Sequence, residues 1–280
     1  MRQLIAIFIL LGQPLIAAPN VVASIPPLAG FVADLTKNAA TPETLLPSNA
    51  EPHGFTLRPS QIIALREAGI VFAVGLRMEP WLERVDGDFT AVNLGEAISA
   101  PLPARNFDLT PRAERDPHLW LDPAETALWV LEISQRLIEV DPEQAATYRN
   151  NTLAALAVLR DAEEKLDLVG ERLNAADIRI VVTHDAFQYL ERRLGVPQLG
   201  MLTDFLDART GARSLAKISR IEGPVCIISN PEVSAPESLL PNAPRVVIDP
   251  MAAAIAGAPD FTERFYDGIA NALETCFDQP

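Results

Sequence analysis

The sequence predicts an α/β protein with two lobes, each built on a mainly parallel sheet flanked by helices and joined by one long helix. Short apolar segments alternate with helix-like segments in both halves of the 280-residue chain. The apolar runs are nearly continuous, as expected for strands buried on both faces of a parallel sheet. Between the halves, residues 143–173 contain no proline. The predicted division is therefore 19–141, 142–173 and 174–280.

The first half contains predicted strands at 20–25, 43–47, 70–75 and 90–94, and helices at 28–38 and 59–69. The second of these helices has clear end signals, because Pro59 and Ser60 stand at its start and Gly69 stands at its end. Each strand is short and apolar, and each helix follows a strand. This order is typical of a parallel sheet with helical crossovers.

The segment between the halves carries one helical stripe. Apolar residues recur at steps of three and four, and these are Leu159, Ala162, Leu166, Val169 and Leu173. Roughly thirty residues at a rise of 1.5 Å give a rod of ~45 Å, which is long enough to run along both lobes. The alternative is an ordinary pair of helices broken near Asn150 and Asn151.

The second half repeats the alternation, with predicted strands at 178–184, 225–229 and 245–249 and helices at 186–195, 212–223 and 261–276. Residues 99–117 have no clear period and contain three prolines before Arg115. We therefore predict that this segment is a long loop leading to His118.

The N-terminal residues resemble a secretory signal. Arg2 precedes an apolar run from Leu4 to Leu11, which is shorter than the ~20 residues needed to span a bilayer. We predict that residues 1–18 are a signal peptide and that the protein is exported. The alternative is that this run is a buried first strand or helix.

The net charge of −14 disfavours nucleic acid and anionic membrane surfaces as partners and favours cations. The two cysteines are Cys226 and Cys276. In an oxidising compartment they could form a disulfide, and the alternative is two unpaired buried residues. Their spacing excludes a CxxC redox or zinc motif.

The three histidines of the chain lie at turns or strand ends: His53 in "EPHGF", His118 in "DPHLWLDP" and His184 in "VVTHDAF". Asp249 ends a strand in "VVIDP". Ligands of open parallel sheets bind beyond the carboxyl ends of strands, so these four side chains would converge if the halves face one another. Three imidazoles and one carboxylate form a donor set that suits Zn²⁺. Taken singly, each is more simply a solvated loop histidine or an Asp-Pro turn.

The acid-proline step before His53 and His118 has a physical use. Proline fixes its own backbone dihedral and restricts the residue ahead of it, so a histidine that follows is held in a preset loop. Rigid ligands lose less entropy when they bind a metal. Leu119 and Trp120, which follow His118, are predicted to anchor this loop in the core.

Several separated motifs resemble one family. The segments "LLPSNAEPHGFTLRPSQIIALREAGIVFAVGLRMEPWL", "DPHLWLDP", "THDAFQYLERRLGV" and "IDPMA" are similar to the zinc/manganese solute-binding proteins of bacterial ABC importers. The resemblance covers essentially the whole mature chain. It implies two α/β lobes joined by a long helix, and a periplasmic monomer that delivers metal to an inner-membrane ABC permease.

The resemblance also implies a metal-ligand set, which falls on His53, His118, His184 and Asp249. Manganese members tend to carry Glu at the third position, so His184 favours Zn²⁺ and makes Mn²⁺ the less favoured ion. A late cysteine pair recurs in zinc members and matches Cys226 and Cys276.

The sequence departs from the family pattern at two places. Many zinc members carry a His-rich loop before "DPH", and residues 99–117 contain no histidine. The family often shows Glu-Pro where this chain reads "SNPEV", with Asn230. Glu51 is an alternative ligand to Asp249 or to water.

Two other functions remain open from the sequence. A secreted zinc hydrolase would use three histidines with an open position for water, but Asp249 would close that position and no HExxH motif appears. A binding protein for an organic solute would need an aromatic-lined cleft, and only 6% of the residues are aromatic.

Overall fold

The computed structural model describes residues 19–48, 50, 52–75, 78–85, 89, 91–203 and 212–278. The predicted signal peptide, residues 1–18, and the alternative ligand Glu51 lie outside the described residues. Among the helices that the structure describes, none combines the length and apolar character that crossing a bilayer requires.

The N-terminal lobe is built on a four-stranded parallel sheet. Its elements in chain order are β1 (Val21–Ala23), α1 (Pro26–Thr36), β2 (Glu43–Thr44), α2 (Pro59–Glu67), β3 (Ile70–Ala73) and β4 (Ala91–Asn93). The strand order is β2-β1-β3-β4, and every pairing is parallel. All residues of β1 and β3 are buried, which explains their continuous apolar sequence.

Residues 99–117 are not the long loop that we predicted. They contain an antiparallel hairpin of β5 (Pro103–Arg105) and β6 (Pro111–Arg115). Exposed and half-buried residues alternate along the five residues of β6. An alternation over so few residues cannot be distinguished from a loop in the sequence. At the hairpin tip, Asp108 Oδ1 accepts a hydrogen bond of 3.1 Å from the backbone N–H of Thr110.

Two helices connect the lobes. A 3₁₀ turn at Leu119–Leu121 leads into α3 (Pro123–Val140), whose first turn is capped by the side chain of Asp122. The long helix α4 (Ala145–Ala175) has 31 residues, and its predicted apolar stripe is buried. Its N-terminus lies three residues later than predicted because a 3₁₀ turn at Pro142–Gln144 precedes it.

The long helix is continuous through Asn150 and Asn151, so the alternative of two broken helices is wrong. Asn151 Nδ2 donates hydrogen bonds of 2.9 Å to the carbonyl oxygens of Leu35 and Lys37. This asparagine therefore ties α4 to the end of α1. Helix α4 also contacts helices of the other half of the chain, as expected for an element that joins two lobes.

The C-terminal lobe contains a second parallel sheet. Its elements are β7 (Arg179–His184), α5 (Gln188–Leu194), β8 (Gln198–Thr203), α6 (Ala212–Ile218), β9 (Val225–Ser229), β10 (Arg245–Val247) and α7 (Phe261–Glu274). The strand order is β10-β9-β7-β8. Strand β8 was not predicted; it contains Gly200 and begins soon after α5 ends. A disulfide joins Cys226 in β9 to Cys276 after α7, which confirms the predicted pairing.

The lobes pack closely through α1 and α7. The ring of Phe31 makes edge contacts with Phe261 and Phe265, at centroid distances of 5.3 and 5.9 Å. A Cβ atom at Gly30 would lie 2.3 Å from the Phe261 ring, so only glycine allows this approach. Asp34 in α1 caps the first turn of α7, where its carboxylate accepts three hydrogen bonds from Phe261 and Thr262.

These observations confirm the predicted fold class: two parallel sheets flanked by helices and linked by one long helix. The division at 19–141, 142–173 and 174–280 stays a prediction.

Candidate metal centre

The three histidines meet at one cavity. One nitrogen of each ring of His53, His118 and His184 lies within 4.8 Å of the others. The ring centroids of His53 and His118 are 6.0 Å apart, and those of His118 and His184 are 5.8 Å apart. His53 and His118 come from loops of the first half of the chain, and His184 is the last residue of β7. Nitrogen atoms at this spacing can share one metal ion after small side-chain rotations.

His118 is oriented by the acid two residues before it. Asp116 Oδ1 accepts hydrogen bonds of 2.9 Å from the backbone N–H of His118 and of 2.8 Å from its ring Nδ1. Asp116 Oδ2 in turn accepts a hydrogen bond of 2.8 Å from Gln188 Nε2. With its Nδ1 proton donated to Asp116, the imidazole directs the lone pair of Nε2 away from this contact.

Burial sets the charge state of this pair. His118 is 4% exposed and Asp116 is fully buried. Burial lowers the pKa of His118 to about 4, although Asp185 opposes the shift. Burial also raises the pKa of Asp116 to about 7, against the hydrogen bond from His118 and the charge of Arg105. The imidazole is therefore neutral at physiological pH, as a metal ligand must be.

His184 is fixed by the neighbouring strand. Thr203, its pairing partner in β8, donates its hydroxyl proton to the carbonyl of Thr183 at 3.1 Å. The hydroxyl oxygen is 3.2 Å from His184 Nδ1, so it is left to accept a proton from that nitrogen. This arrangement assigns the Nδ1–H tautomer to His184 and leaves Nε2 as the ligand atom.

The loop of His53 is held by an aromatic side chain. Trp81 Nε1 donates a hydrogen bond of 2.8 Å to the carbonyl oxygen of Pro52. The same indole packs against Phe55 at a centroid distance of 5.7 Å. The residues on both sides of His53 are thus anchored to the N-terminal lobe.

Trp120 anchors the His118 loop, as predicted. It is fully buried with Leu119, and its Nε1 donates a hydrogen bond of 2.8 Å to the carbonyl oxygen of Pro250. This bond joins the loop to the segment that follows β10. The two segments that carry predicted ligands are therefore held in a fixed relation.

Asp249 does not join the histidine group. Its Oδ1 accepts a hydrogen bond of 2.8 Å from the backbone N–H of Met251, and its Oδ2 accepts one of 2.7 Å from that of Ala253. Both oxygens therefore cap the turn after β10. The fourth position of the donor set is not filled by this side chain in the structure.

A cavity of about 300 Å³ opens onto the three histidines. Asn230 and Glu232 from the turn after β9 line it, and its remaining walls are mainly small or apolar residues. The walls come from both lobes. The cavity is large enough for an ion with water but offers few polar groups for an organic solute.

A buried ionic network, which was not predicted from the sequence, lies behind the site. Arg105 of the hairpin contacts Asp185, Glu191 and Gln198, with 3.0 Å from Nη1 to Glu191 Oε2 and 2.8 Å from Nη2 to Gln198 Oε1. Burial raises the pKa of Glu191 to about 7, although Arg105 opposes it. Asp185 directly follows His184, so Arg105 ties the hairpin to the third histidine. The sequence around Arg105, "PLPARNFDLT", contains no pattern that indicates this contact.

Comparisons with known proteins find similarity to zinc-uptake proteins over most of the chain. A family model described as "ZnuA: Zinc-uptake complex component A periplasmic" matches residues 21–274. The high-affinity zinc uptake system protein ZnuA of Brucella suis is 26% identical, covering 93% of this chain and 92% of that protein. The ZnuA protein of Yersinia pestis is 27% identical, covering 98% and 96%. A crystal structure of a zinc-bound ZnuA deletion mutant has a TM-score of 0.74 and 25% identity, covering 91% of this chain and 98% of that one.

Proposed function

Because the chain belongs to the family of the periplasmic zinc-uptake complex component A, we propose that it captures Zn²⁺ between its lobes and delivers the ion to an ABC permease. The observation that carries this proposal is the meeting of His53, His118 and His184, one nitrogen of each lying within 4.8 Å of the others. These residues are distant in the sequence, and the fold brings them to one cavity.

We propose the three histidines as ligands. Zn²⁺ prefers four ligands in a tetrahedral arrangement, with nitrogen donors at about 2.0–2.1 Å, so binding requires the rings to move slightly inward. The sequence-based candidates for the fourth ligand are Asp249 and, as an alternative, Glu51. Asp249 would have to supply lone pairs that its two backbone hydrogen bonds do not use.

The donor set favours Zn²⁺ over Mn²⁺. Imidazole nitrogens suit zinc, whereas manganese is held more often by carboxylates, carbonyls and water. The group contains three imidazoles, and the ring of His118 is neutral because burial lowers its pKa to about 4. No proton has to be displaced from this ring when the metal binds at neutral pH.

We further propose that residues 1–18 direct export, that the protein acts in the periplasm, and that it works as a monomer. Its partner is an inner-membrane ABC permease. The net charge of −14 favours attraction of cations and disfavours nucleic acid as a ligand. The family is one of solute-binding components, and we propose no enzymatic activity. No comparison favours the hydrolase alternative.

Native mass spectrometry of the exported protein tests the proposal. We expect one zinc ion per wild-type chain, and loss of the ion in His118→Ala. Asp161→Ala is the control, because this side chain is 59% exposed on α4 and we expect it to leave zinc binding unchanged. Zinc at ~1,000 times its dissociation constant should also stabilise the wild-type fold by about 4 kcal/mol. A wild-type protein that binds no zinc, or a His118→Ala variant that binds it as tightly, would refute the proposal.

A further inference from the structure

The histidine cavity contains a carboxylate that the sequence-based ligand set did not include. Glu232 lines the same cavity as His53, His118 and His184. Among the cavity-lining residues that the structure describes, it is the only acidic side chain. Asp249, the carboxylate predicted for this role, is not part of that lining.

The carboxylates of Asp249 and Glu232 differ in their hydrogen-bond partners. Asp249 uses both oxygens to cap the backbone of Met251 and Ala253. Turning it toward the histidines would remove two hydrogen bonds, both accepted by a charged group, from that turn. Glu232 is exposed at the cavity and has one more methylene group in its side chain. Its carboxylate also lies outside the histidine group in the structure, but in the described part of the chain it is bonded to the side chain of Asn230, so it can move toward the histidines without disrupting a backbone cap.

A short polar chain fixes the turn that carries Glu232. Asn230 Nδ2 donates a hydrogen bond of 2.8 Å to Glu232 Oε2, and Asn230 Oδ1 accepts one of 3.1 Å from Thr183 Oγ1. The backbone N–H of Asn230 also donates to the Thr183 hydroxyl. Thr183 directly precedes His184, and strands β7 and β9 are paired. The position of the Glu232 carboxylate relative to His184 is therefore fixed through these two strands.

From this geometry we propose that Glu232 supplies the fourth ligand of the metal, with Asn230 as its positioning residue. This inference rests on the proposed capture of Zn²⁺ by the three histidines. A carboxylate oxygen completes a four-coordinate set of three nitrogens and one oxygen. It also reduces the charge of the ion in a cavity whose other walls are mainly apolar. The amide of Asn230 fixes one oxygen, as outer hydrogen bonds do for ligating carboxylates.

Glutamine substitution separates this role from a structural one. Glu232→Gln keeps the length of the side chain and an oxygen that can accept the Asn230 hydrogen bond, but a neutral amide is a poor zinc ligand. Glu237→Gln is the matched control, since Glu237 is exposed on the same segment and does not line the cavity. Asp249→Asn tests the competing ligand. Each variant is titrated with Zn²⁺ against a chelator, and its Co²⁺ form is examined by visible absorption, which reports the ligand set.

We expect Glu232→Gln to weaken zinc binding by about tenfold or more and to change the Co²⁺ spectrum, while Glu237→Gln matches the wild type in both. Circular dichroism and the melting temperature of the metal-free protein verify that each variant is folded, and Glu232→Asp serves as a second variant if Glu232→Gln is not. A Glu232→Gln protein with wild-type affinity and spectrum overturns the inference, as does loss of the carboxylate ligand in Asp249→Asn alone. Failure of the wild type itself to bind zinc identifies failure of the proposed function instead.

Discussion

Substitution of Asp116 tests how far orientation of one imidazole determines metal affinity. In Asp116→Ala, His118 loses the acceptor of its Nδ1 proton and of its backbone N–H, which lie 2.8 and 2.9 Å from Asp116 Oδ1. The ring is then free to adopt the other tautomer or to rotate. Removal of such a partner typically lowers metal affinity 10- to 100-fold, which corresponds to about 1.4–2.7 kcal/mol.

Isothermal titration with Zn²⁺ in competition with a chelator measures this loss, and Asp116→Asn is the informative companion. Asparagine keeps an oxygen that can accept from His118, so we expect its affinity to lie between those of the wild type and Asp116→Ala. Asp161→Ala again serves as an exposed control. If a folded Asp116→Ala protein binds zinc within about twofold of the wild type, His118 is held by its packing alone and the reasoning fails.

Three further predictions concern stability. Asp34→Ala removes three hydrogen bonds from the N-terminus of α7, and we expect urea denaturation to show a loss of about 2–3 kcal/mol; a loss below about 0.5 kcal/mol would contradict the capping role. Burial raises the pKa of Glu79 to about 7, although hydrogen bonds from Ser24 and the backbone oppose the shift. The folded protein therefore keeps a proton on Glu79 that the unfolded chain releases near pH 4.5. Glu79 therefore lowers stability as pH rises from about 4.5 to 7, by about 3 kcal/mol, and this part of the slope should vanish in Glu79→Gln; parallel curves for both proteins would disprove it. Replacing Cys226 and Cys276 by serine opens a loop with a sequence separation of 50 residues, and thermal unfolding should reveal a loss of about 4 kcal/mol in the chain-entropy model, whereas an unchanged melting temperature would argue against it.

The sequence predicted elements whose signals are local and repeated. The apolar stripe from Leu159 to Leu173 spans several turns, and every residue of it is buried in α4. The continuous apolar run at Ile70–Ala73 is a central strand of the first sheet. In such segments the side-chain pattern and the burial have the same cause, so the sequence alone is sufficient.

The hairpin at residues 103–115 and strand β8 were not predicted because their local sequence signals are weak. Strand β5 has three residues and begins with Pro103. Strand β8 includes Gly200, where an added Cβ would lie 2.8 Å from the side chain of Ile218. Its stability comes from pairing with β7 and packing under α6. These tertiary contacts override weak local propensity.

In the site, too, some features could be predicted from the sequence and others could not. Turn and strand-end positions were sufficient to single out the three histidines, because parallel topology places such residues at one edge. Asp249 as a ligand stays a prediction, because its carboxylate accepts a hydrogen bond from the backbone of Met251 in the structure. The direction of one carboxylate depends on nearby N–H groups, and a one-dimensional pattern does not contain this information. The acid before Pro117 and His118 also has a role beyond the rigidity of proline, because Asp116 orients the ring of His118 directly.

The hairpin combines one residue that is bonded to the interior with a turn that is exposed to solvent. Arg105, the last residue of β5 before the turn, is half-buried and bonded to Asp185, whereas Asn106, Asp108 and Thr110 in the turn are exposed. Closing a longer loop costs little, about 0.6 kcal/mol for each doubling of its length. Extra residues inserted between Asn106 and Thr110 would therefore extend into solvent while β5 and β6 kept their pairing. The length of this turn can thus vary while the ion pair between Arg105 and Asp185, the residue after His184, is kept.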